Sequence, residues 1–206
     1  MSHTIDWQGE LNQDQFVINT LQQKTHGYFV EFGAMNGREY SNTWVLEKHY
    51  HWNGILSEPN PRFHQELASN RSCIIDNRAV WSETGSQLNF VCRDHGFSEL
   101  AQPEKTYSEP MILVSSVSLN DLLDAHHAPD VIDYISMDTE GSELDILKSF
   151  DWSRRTVMIW TIEHAWQEDK RKHIQNIMKN HGYNWVCQNQ TQYDDYFVHE
   201  SLGVIE

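Results

Sequence analysis

Apolar positions along the chain switch repeatedly between a short run and a helical spacing. Asn12 to Gln23 carries Phe16, Val17, Ile18 and Leu21 at helical intervals, with Asp14 near its start, and predicts an amphipathic helix. Tyr28 to Phe32 follows Gly27 as a buried strand, and Ser41 to Tyr50 predicts the next helix. Gly54–Ser57 and Cys73–Ile75 predict strands flanking a helix over Phe63–Ala68, and Leu88–Cys92 alternates as a further strand. Residues Arg93 to Pro110 are broken by Gly96, Pro103 and Pro110, which predicts an irregular loop or lid. The pattern then gives a helix at Ser118–Ala125, a strand at Ile132–Met137 and a helix at Gly141–Lys148. It continues with a strand at Val157–Ile162, a helix at Glu168–His181 stopped by Gly182, and strands near Tyr183–Cys187 and Tyr196–Val198. Alternating strands and helices with near-continuous apolar strands predict an α/β fold with a mostly parallel sheet and helices on both faces. The last two strands are too close for a helical crossover, so one of them is expected antiparallel. No repeat or linker interrupts the pattern, so one domain is expected over residues 1–206, with residues 1–26 as an N-terminal helical segment packed on it.

The turn after the first strand, E-F-G-A-M-N-G, narrows the ligand. Gly33 and Gly37 allow a tight turn and close backbone approach. Glu58, about 25 residues beyond Gly33 at the tip of the next strand, is placed to accept both hydroxyls of a ribose. A dinucleotide requires G-x-G-x-x-G to bring its pyrophosphate against bare backbone, and Met35 breaks that fingerprint. Glu31 and Asn36 favour a ligand bearing an ammonium group over one bearing phosphates. S-adenosylmethionine fits, being an adenosine with a zwitterionic tail and no phosphate.

Composition excludes some partners. The formal net charge of -15 repels nucleic acid and anionic membranes. The Lys170-Arg171-Lys172 run falls in a helical stretch and reads as a solvated face. Three widely spaced cysteines (Cys73, Cys92, Cys187) provide neither a zinc spacing nor a disulfide framework, and fit a reducing compartment. With no membrane-spanning apolar stretch and no signal-peptide pattern, a cytoplasmic location without membrane insertion is expected. The oligomeric state is left open.

A second constellation lies at the end of the strand Ile132–Met137, in D-T-E-G-S-E. Ligands of open α/β sheets bind beyond the carboxyl ends of the strands, so Asp138 is expected to share a crevice with Gly33 and Glu58. Glu140 and Glu143 fall in the first turn of the next helix, where the macrodipole also favours carboxylates for purely structural reasons. Glu163 and His164 end the next strand and lie beside Asp138 if the two strands are neighbours. Two carboxylates and a histidine can act as a base or hold a hard divalent ion. The remaining histidines, including His49/His51 and His126/His127, lack zinc-type spacing and read as surface or packing residues.

Taken in order, E-F-G-A-M-N-G, S-N-T, E-P-N-P, N-R-A-V with Gly85, S-L-N-D-L-L, D-T-E-G-S-E and I-E-H resemble the FkbM family of S-adenosylmethionine-dependent methyltransferases over roughly Gly27 to Val198. The resemblance implies the Rossmann-like class I methyltransferase fold, a seven-stranded sheet whose last strand is inserted antiparallel. It also implies that Glu31, Gly33, Asn36 and Gly37 surround the methionine part of the cofactor, with Ser41 and Asn42 at its carboxylate end and Glu58 at its ribose. Asn77, Arg78 and Ala79 would fall on the adenine side, and Asp138 and Glu140 at the methyl-transfer end. Many members read K-x-D-x-E-G where this chain has Ser136, so no role passes to a lysine there.

The expected function is O-methylation of a hydroxyl on a sugar, glycan or other small molecule. Asp138, Glu163 and His164 are the catalytic candidates: Glu163 or His164 as base, and Asp138 with Glu163 as a pair for Mg2+. His95, Phe97 and Ser98 are expected in an acceptor-side lid, and Trp160 and Trp166, flanking Glu163, are candidate stacking faces for a sugar. The competing readings are a non-catalytic nucleotide- or glycan-binding module and a nicotinamide-dependent oxidoreductase. The intact polar set disfavours the first, and Met35 the second.

Overall fold

The structure, a computed structural model, describes residues 5–94, 96–188 and 192–203. In chain order the elements are α1 (Gln13–Thr20), β1 (Tyr28–Phe32), α2 (Trp44–Tyr50), β2 (Asn53–Ser57), α3 (His64–Asn70) and β3 (Ile74–Asp76). There follow β4 (Ala79–Trp81), β5 (Gln87–Val91), β6 (Glu99–Leu100), β7 (Met111–Ser118) and α4 (Leu119–Ala125). The chain then runs through β8 (Val131–Met137), α5 (Glu143–Ser149), β9 (Thr156–Glu163), α6 (Glu168–Asn180), β10 (Tyr183–Val186) and β11 (Asp194–His199). The main sheet has seven strands in the order β3-β2-β1-β8-β9-β11-β10. Strands β1, β2, β3, β8 and β9 are parallel, and β11 is antiparallel to both β9 and β10.

The side-chain alternation of the strands sorts two cores. Val30, Ile135 and Trp160 point to one face, where they meet Leu119 and Leu122 of α4, Ile146 of α5 and Ile174 of α6. Their neighbours Phe29, Tyr134 and Ile159 point to the other face, against Val17 and Ile18 of α1, Leu46 of α2 and Leu67 of α3. Both faces are therefore covered, which is why these strands read as unbroken apolar runs.

The expected seven-stranded sheet is present, but the chain between β3 and α4 builds more than the pattern predicts. Strands β4, β7, β5 and β6 form a second sheet in that order. Strand β7 pairs antiparallel with β5 through Met111–Ser115 and parallel with β4 through Ser116–Ser118. The expected strand at Leu88–Cys92 belongs here as β5, and the expected irregular stretch contains β6. The first helix is shorter than its apolar content suggests. After Thr20 the chain turns through Gln22 and Gln23, both with positive φ (52° and 61°), before entering β1.

Candidate functional site

Strands β1, β2 and β8 all end at one edge of the sheet, and the turns that follow them enclose a cleft of about 610 Å3. The β1 turn is held by close packing. Gly33 has φ 73°, and a Cβ there would lie 2.2 Å from the Asp138 carbonyl oxygen, so only glycine lets the ends of β1 and β8 touch. A Cβ on Gly37 (φ 75°) would lie 2.5 Å from Leu67. Between them Met35 also takes a left-handed conformation (φ 46°), which a non-glycine residue adopts only when its surroundings enforce it.

That enforcement comes from Glu58. One of its carboxylate oxygens accepts the Met35 amide hydrogen (2.8 Å) and the other that of Asn60 (2.7 Å). Burial pushes its carboxyl up to about 7 against those two stabilising bonds. Two of its roughly four lone-pair directions remain available on the cleft wall, which suits a pair of vicinal hydroxyls.

Glu31 is placed differently. It accepts from Ser41 Oγ (2.9 Å), the Asn42 amide (2.7 Å) and Thr43 Oγ1 (2.6 Å), beneath the cleft rather than among its lining residues. Arg71, itself fully buried, completes this layer. Its guanidinium binds Glu47 (2.7 Å), the Gly37 carbonyl (3.1 Å), Ser41 Oγ (3.1 Å) and Thr43 Oγ1 (2.9 Å), and lies 3.6 Å from Glu31. Ser41 and Asn42 are buried here too. The Asn42 amide donates to Ser136 (2.9 Å), and its own side-chain oxygen is buried without a partner. Asn36 lines the cleft, its side chain accepting the amides of Arg38 and Glu39. Of the three residues expected on the adenine side, Ala79 lines the cleft, Asn77 is exposed, and Arg78 is clamped on Asp76 (2.6 Å).

The far end of the cleft is acidic. Strands β8 and β9 are neighbours, with Met137 paired to Ile162, so Asp138 and Glu163 emerge side by side. Oxygens of Asp138, Glu143 and Glu163 lie within 4.8 Å of one another. Asp138 is open to the cleft, and its carboxyl is raised by desolvation and by Glu163. Glu163 is only 7 % exposed, one of its oxygens has no partner, and burial together with Glu143 and Glu140 pushes its carboxyl up to about 8. Glu140 lines the cleft in a left-handed conformation (φ 57°), and desolvation and Glu143 raise its carboxyl. Glu143 folds the turn, accepting from the Thr139 amide (2.9 Å), Thr139 Oγ1 (3.0 Å) and the Gly141 amide (3.1 Å). His164 is 1 % exposed and off the cleft. Both ring nitrogens lack hydrogen-bond partners, Nε2 lies 3.9 Å from Asp195, and burial lowers its pKa.

Four residues at this end, Asp194, Asp195, Lys170 and Arg171, were not among the sequence-derived site residues. Asp194 pairs across the sheet with Glu163, and burial raises its carboxyl to about 6. The charge run on α6 is not a solvated face: Lys170 lies against Glu143 (2.5 Å) and Arg171 against Asp195 (2.8 Å), while Lys172 is exposed. A signal for Lys170 does exist, because it precedes the buried Ile174 and Met178 by four and eight residues on one helical face. On the rim, Phe97 and Tyr40 line the cleft with exposed rings, and Ser98 lines it beside them; His95 lies outside the described residues.

The model of the methyltransferase FkbM domain matches residues 31–184, the span that holds both turns of the cleft. The chain belongs to the FkbM methyltransferase family. No curated protein matches the chain. Among solved structures, this FkbM domain is similar to precorrin-6y C5,15-methyltransferase from Geobacter metallireducens GS-15, at 11% identity and TM-score 0.50, covering 90% of this chain and 84% of that one. It is also similar to the METTL16 methyltransferase domain (12%, TM-score 0.54), covering 92% of this chain and 66% of that one. A human methyltransferase 10 domain containing protein is a third (13%, TM-score 0.50), with 92% and 80% covered. At these identities the likeness is one of fold, the Rossmann-like methyltransferase sheet.

Proposed function

We propose that this FkbM domain is an S-adenosylmethionine-dependent O-methyltransferase acting on a hydroxyl of a sugar or glycan. The observation that carries the reading is one cleft with two unlike carboxylate ends. At one, Glu58 keeps two lone-pair directions for ribose hydroxyls; at the other, Asp138 is open beside Glu163. When bound, S-adenosylmethionine supplies a methyl group on a sulfonium, which leaves as a neutral thioether.

The chain's own residues would hold the donor by Glu58 and by the turn from Gly33 to Gly37, and would present the acceptor at Asp138. Such alignment contributes roughly 7–11 kcal/mol to lowering a barrier. A sugar hydroxyl also needs a base, worth about 10²–10⁴-fold. Two carboxylates this close do not both ionise readily, so one proton stays on the pair. Desolvation raises both carboxyls, and Asp138, open to the cleft where Glu163 is buried, is the one that solvent leaves able to ionise. Asp138, facing the cleft, would then take the proton from the acceptor oxygen as the methyl group is transferred to it. His164 is too enclosed to share this task.

Trp160 is fully buried in the core, whereas Trp166 is 65 % exposed just beyond β9. It packs edge-on to Tyr193 (6.4 Å), whose hydroxyl binds the cleft-lining Glu10. An aromatic face beside carboxylates favours a sugar ring as the acceptor.

Calorimetry with S-adenosylmethionine and S-adenosylhomocysteine tests the donor half; no heat up to millimolar concentration removes the proposal. Turnover against a panel of methyl glycosides tests the acceptor half. Cofactor binding with no turnover on any acceptor would favour a non-catalytic module instead. Asp138→Asn should lower kcat by about 10²–10⁴-fold with a smaller effect on S-adenosylhomocysteine affinity.

A further inference from the structure

Lys170 stands in an electrostatically unfavourable position unless its surroundings need it. It lies in the first turn of α6, where the macrodipole opposes a cation. Its side chain is only 8 % exposed, and lysine is almost never buried without a counter-charge. The counter-charge is Glu143, fully buried, with 2.5 Å between Nζ and a carboxylate oxygen. The same ammonium charge is felt at Glu163 and Glu140, where it opposes the upward shift of both carboxyls.

The carboxylates around it form a set that otherwise suits a divalent ion. Oxygens of Asp138, Glu143 and Glu163 lie within 4.8 Å of one another, and Glu163, 7 % exposed, keeps one buried oxygen without a hydrogen-bond partner. Asp138 opens it to the cleft, so water could complete the six to eight oxygen ligands that a hard cation takes. Three carboxylates at this separation repel one another, and beyond the proton shared by Asp138 and Glu163 a nearby positive charge relieves that repulsion. Within the described residues the chain provides it as an ammonium group from α6.

We propose that Lys170 is the resident cation of this cluster, held where a divalent metal would otherwise bind, so that the acidic end of the cleft works without a metal. Ser136 accepts a hydrogen bond from the Asn42 side-chain amide (2.9 Å) and takes no part in this ion pair. A divalent site is then one substitution away.

The inference rests on cation binding and not on methyl transfer, so its fate is separate from that of the proposed function. Manganese chloride is titrated calorimetrically into the wild-type chain and into Lys170→Met, which keeps the buried stem and removes the charge. Expected is no stoichiometric binding to the wild type in the low millimolar range. Lys170→Met should gain one site, tighter by roughly tenfold or more, and Lys170→Met with Glu163→Gln should lose it again. Stoichiometric manganese binding by the wild type would overturn the proposal, as would a folded Lys170→Met chain that gains nothing. Where Lys170→Met is too unstable to titrate, Lys170→Gln retains a hydrogen-bond donor toward Glu143 without the charge and reads the same gain or its failure.

Discussion

On the proposed reading, Glu58 couples the stability of the free protein to its affinity for ligand, with opposite signs. Its folded-state pKa of about 7 lies above the ordinary 4.5, so the folded chain holds a proton that the unfolded chain releases. The stability associated with that proton is fully present below about 4.5 and is lost as pH rises through 7. If Glu58 holds the ribose as proposed, its hydroxyls donate to the ionised carboxylate, and S-adenosylhomocysteine affinity should instead rise by up to about tenfold between pH 6 and pH 8. Glu58→Gln should flatten that dependence and weaken binding about 10–100-fold at pH 8, because hydrogen bonds to a charged group contribute about 1.5–3 kcal/mol. Calorimetry at three pH values checks both. At Gly33, substitution by alanine sets a Cβ against the Asp138 carbonyl and forces a left-handed alanine. Gly33→Ala should therefore lose S-adenosylhomocysteine binding even where circular dichroism shows a folded chain. Gly33, Glu58 and Asp138 were legible in the sequence because strand ends can be located from apolar runs, and chemistry gathers there. Lys170 was not, because a run of three basic residues looks solvated until the helical phase of its neighbours is taken into account.

At the scale of elements, the glycine turn, the start of α2 and the end of α3 are tied by one guanidinium. Removing it leaves Glu31 as a buried carboxylate without its counter-charge and Glu47 with Lys48 alone (2.8 Å), and Glu47 is held down at about 2 largely by Arg71. Arg71→Met should destabilise by about 3–5 kcal/mol, the range for breaking one side of a buried pair, measured by urea unfolding. By contrast Ser118→Ala removes a single cap, the Ser118 Oγ that accepts the Asp121 amide (3.1 Å), and should cost about 1 kcal/mol. The Arg71 tie could not be read from the sequence, since the groups on it come from segments up to 40 residues away, whereas the Ser118 cap is a local S-x-x-D spacing. The second sheet escaped for a related reason. Strand β7 leaves Met111 and Leu113 exposed and carries serines further on, so its identity as a strand depends on β4 and β5 as partners rather than on its own alternation.

Across the whole molecule, charge and cleft point the same way. The chain carries a net charge of -15, and the cleft walls include Glu10, Glu39, Glu66, Asp94, Asp138 and Glu140, with Arg62 paired to Asp94. Such a field favours a cationic donor entering and releases a product of no net charge more readily. Raising sodium chloride from about 50 to 500 mM, which shortens the screening length from more than about 10 Å to about 4 Å, should weaken S-adenosylmethionine binding more than S-adenosylhomocysteine binding. Parallel calorimetric titrations measure the difference; equal salt slopes would show that the field does not discriminate donor from product. Among the described residues no helix is long and apolar enough to cross a membrane.

The antiparallel strand β11 also bears on how such a chain is made. It lies between β9 and β10 although both precede it in sequence, and its Asp194 completes the wall behind Glu163. During synthesis the edge of β9 therefore stays unpaired until residues 194–199 have left the ribosome. The acidic end of the cleft closes only with them, and a ribosome stalled shortly before Asp194 would hold a sheet with an open, adhesive margin.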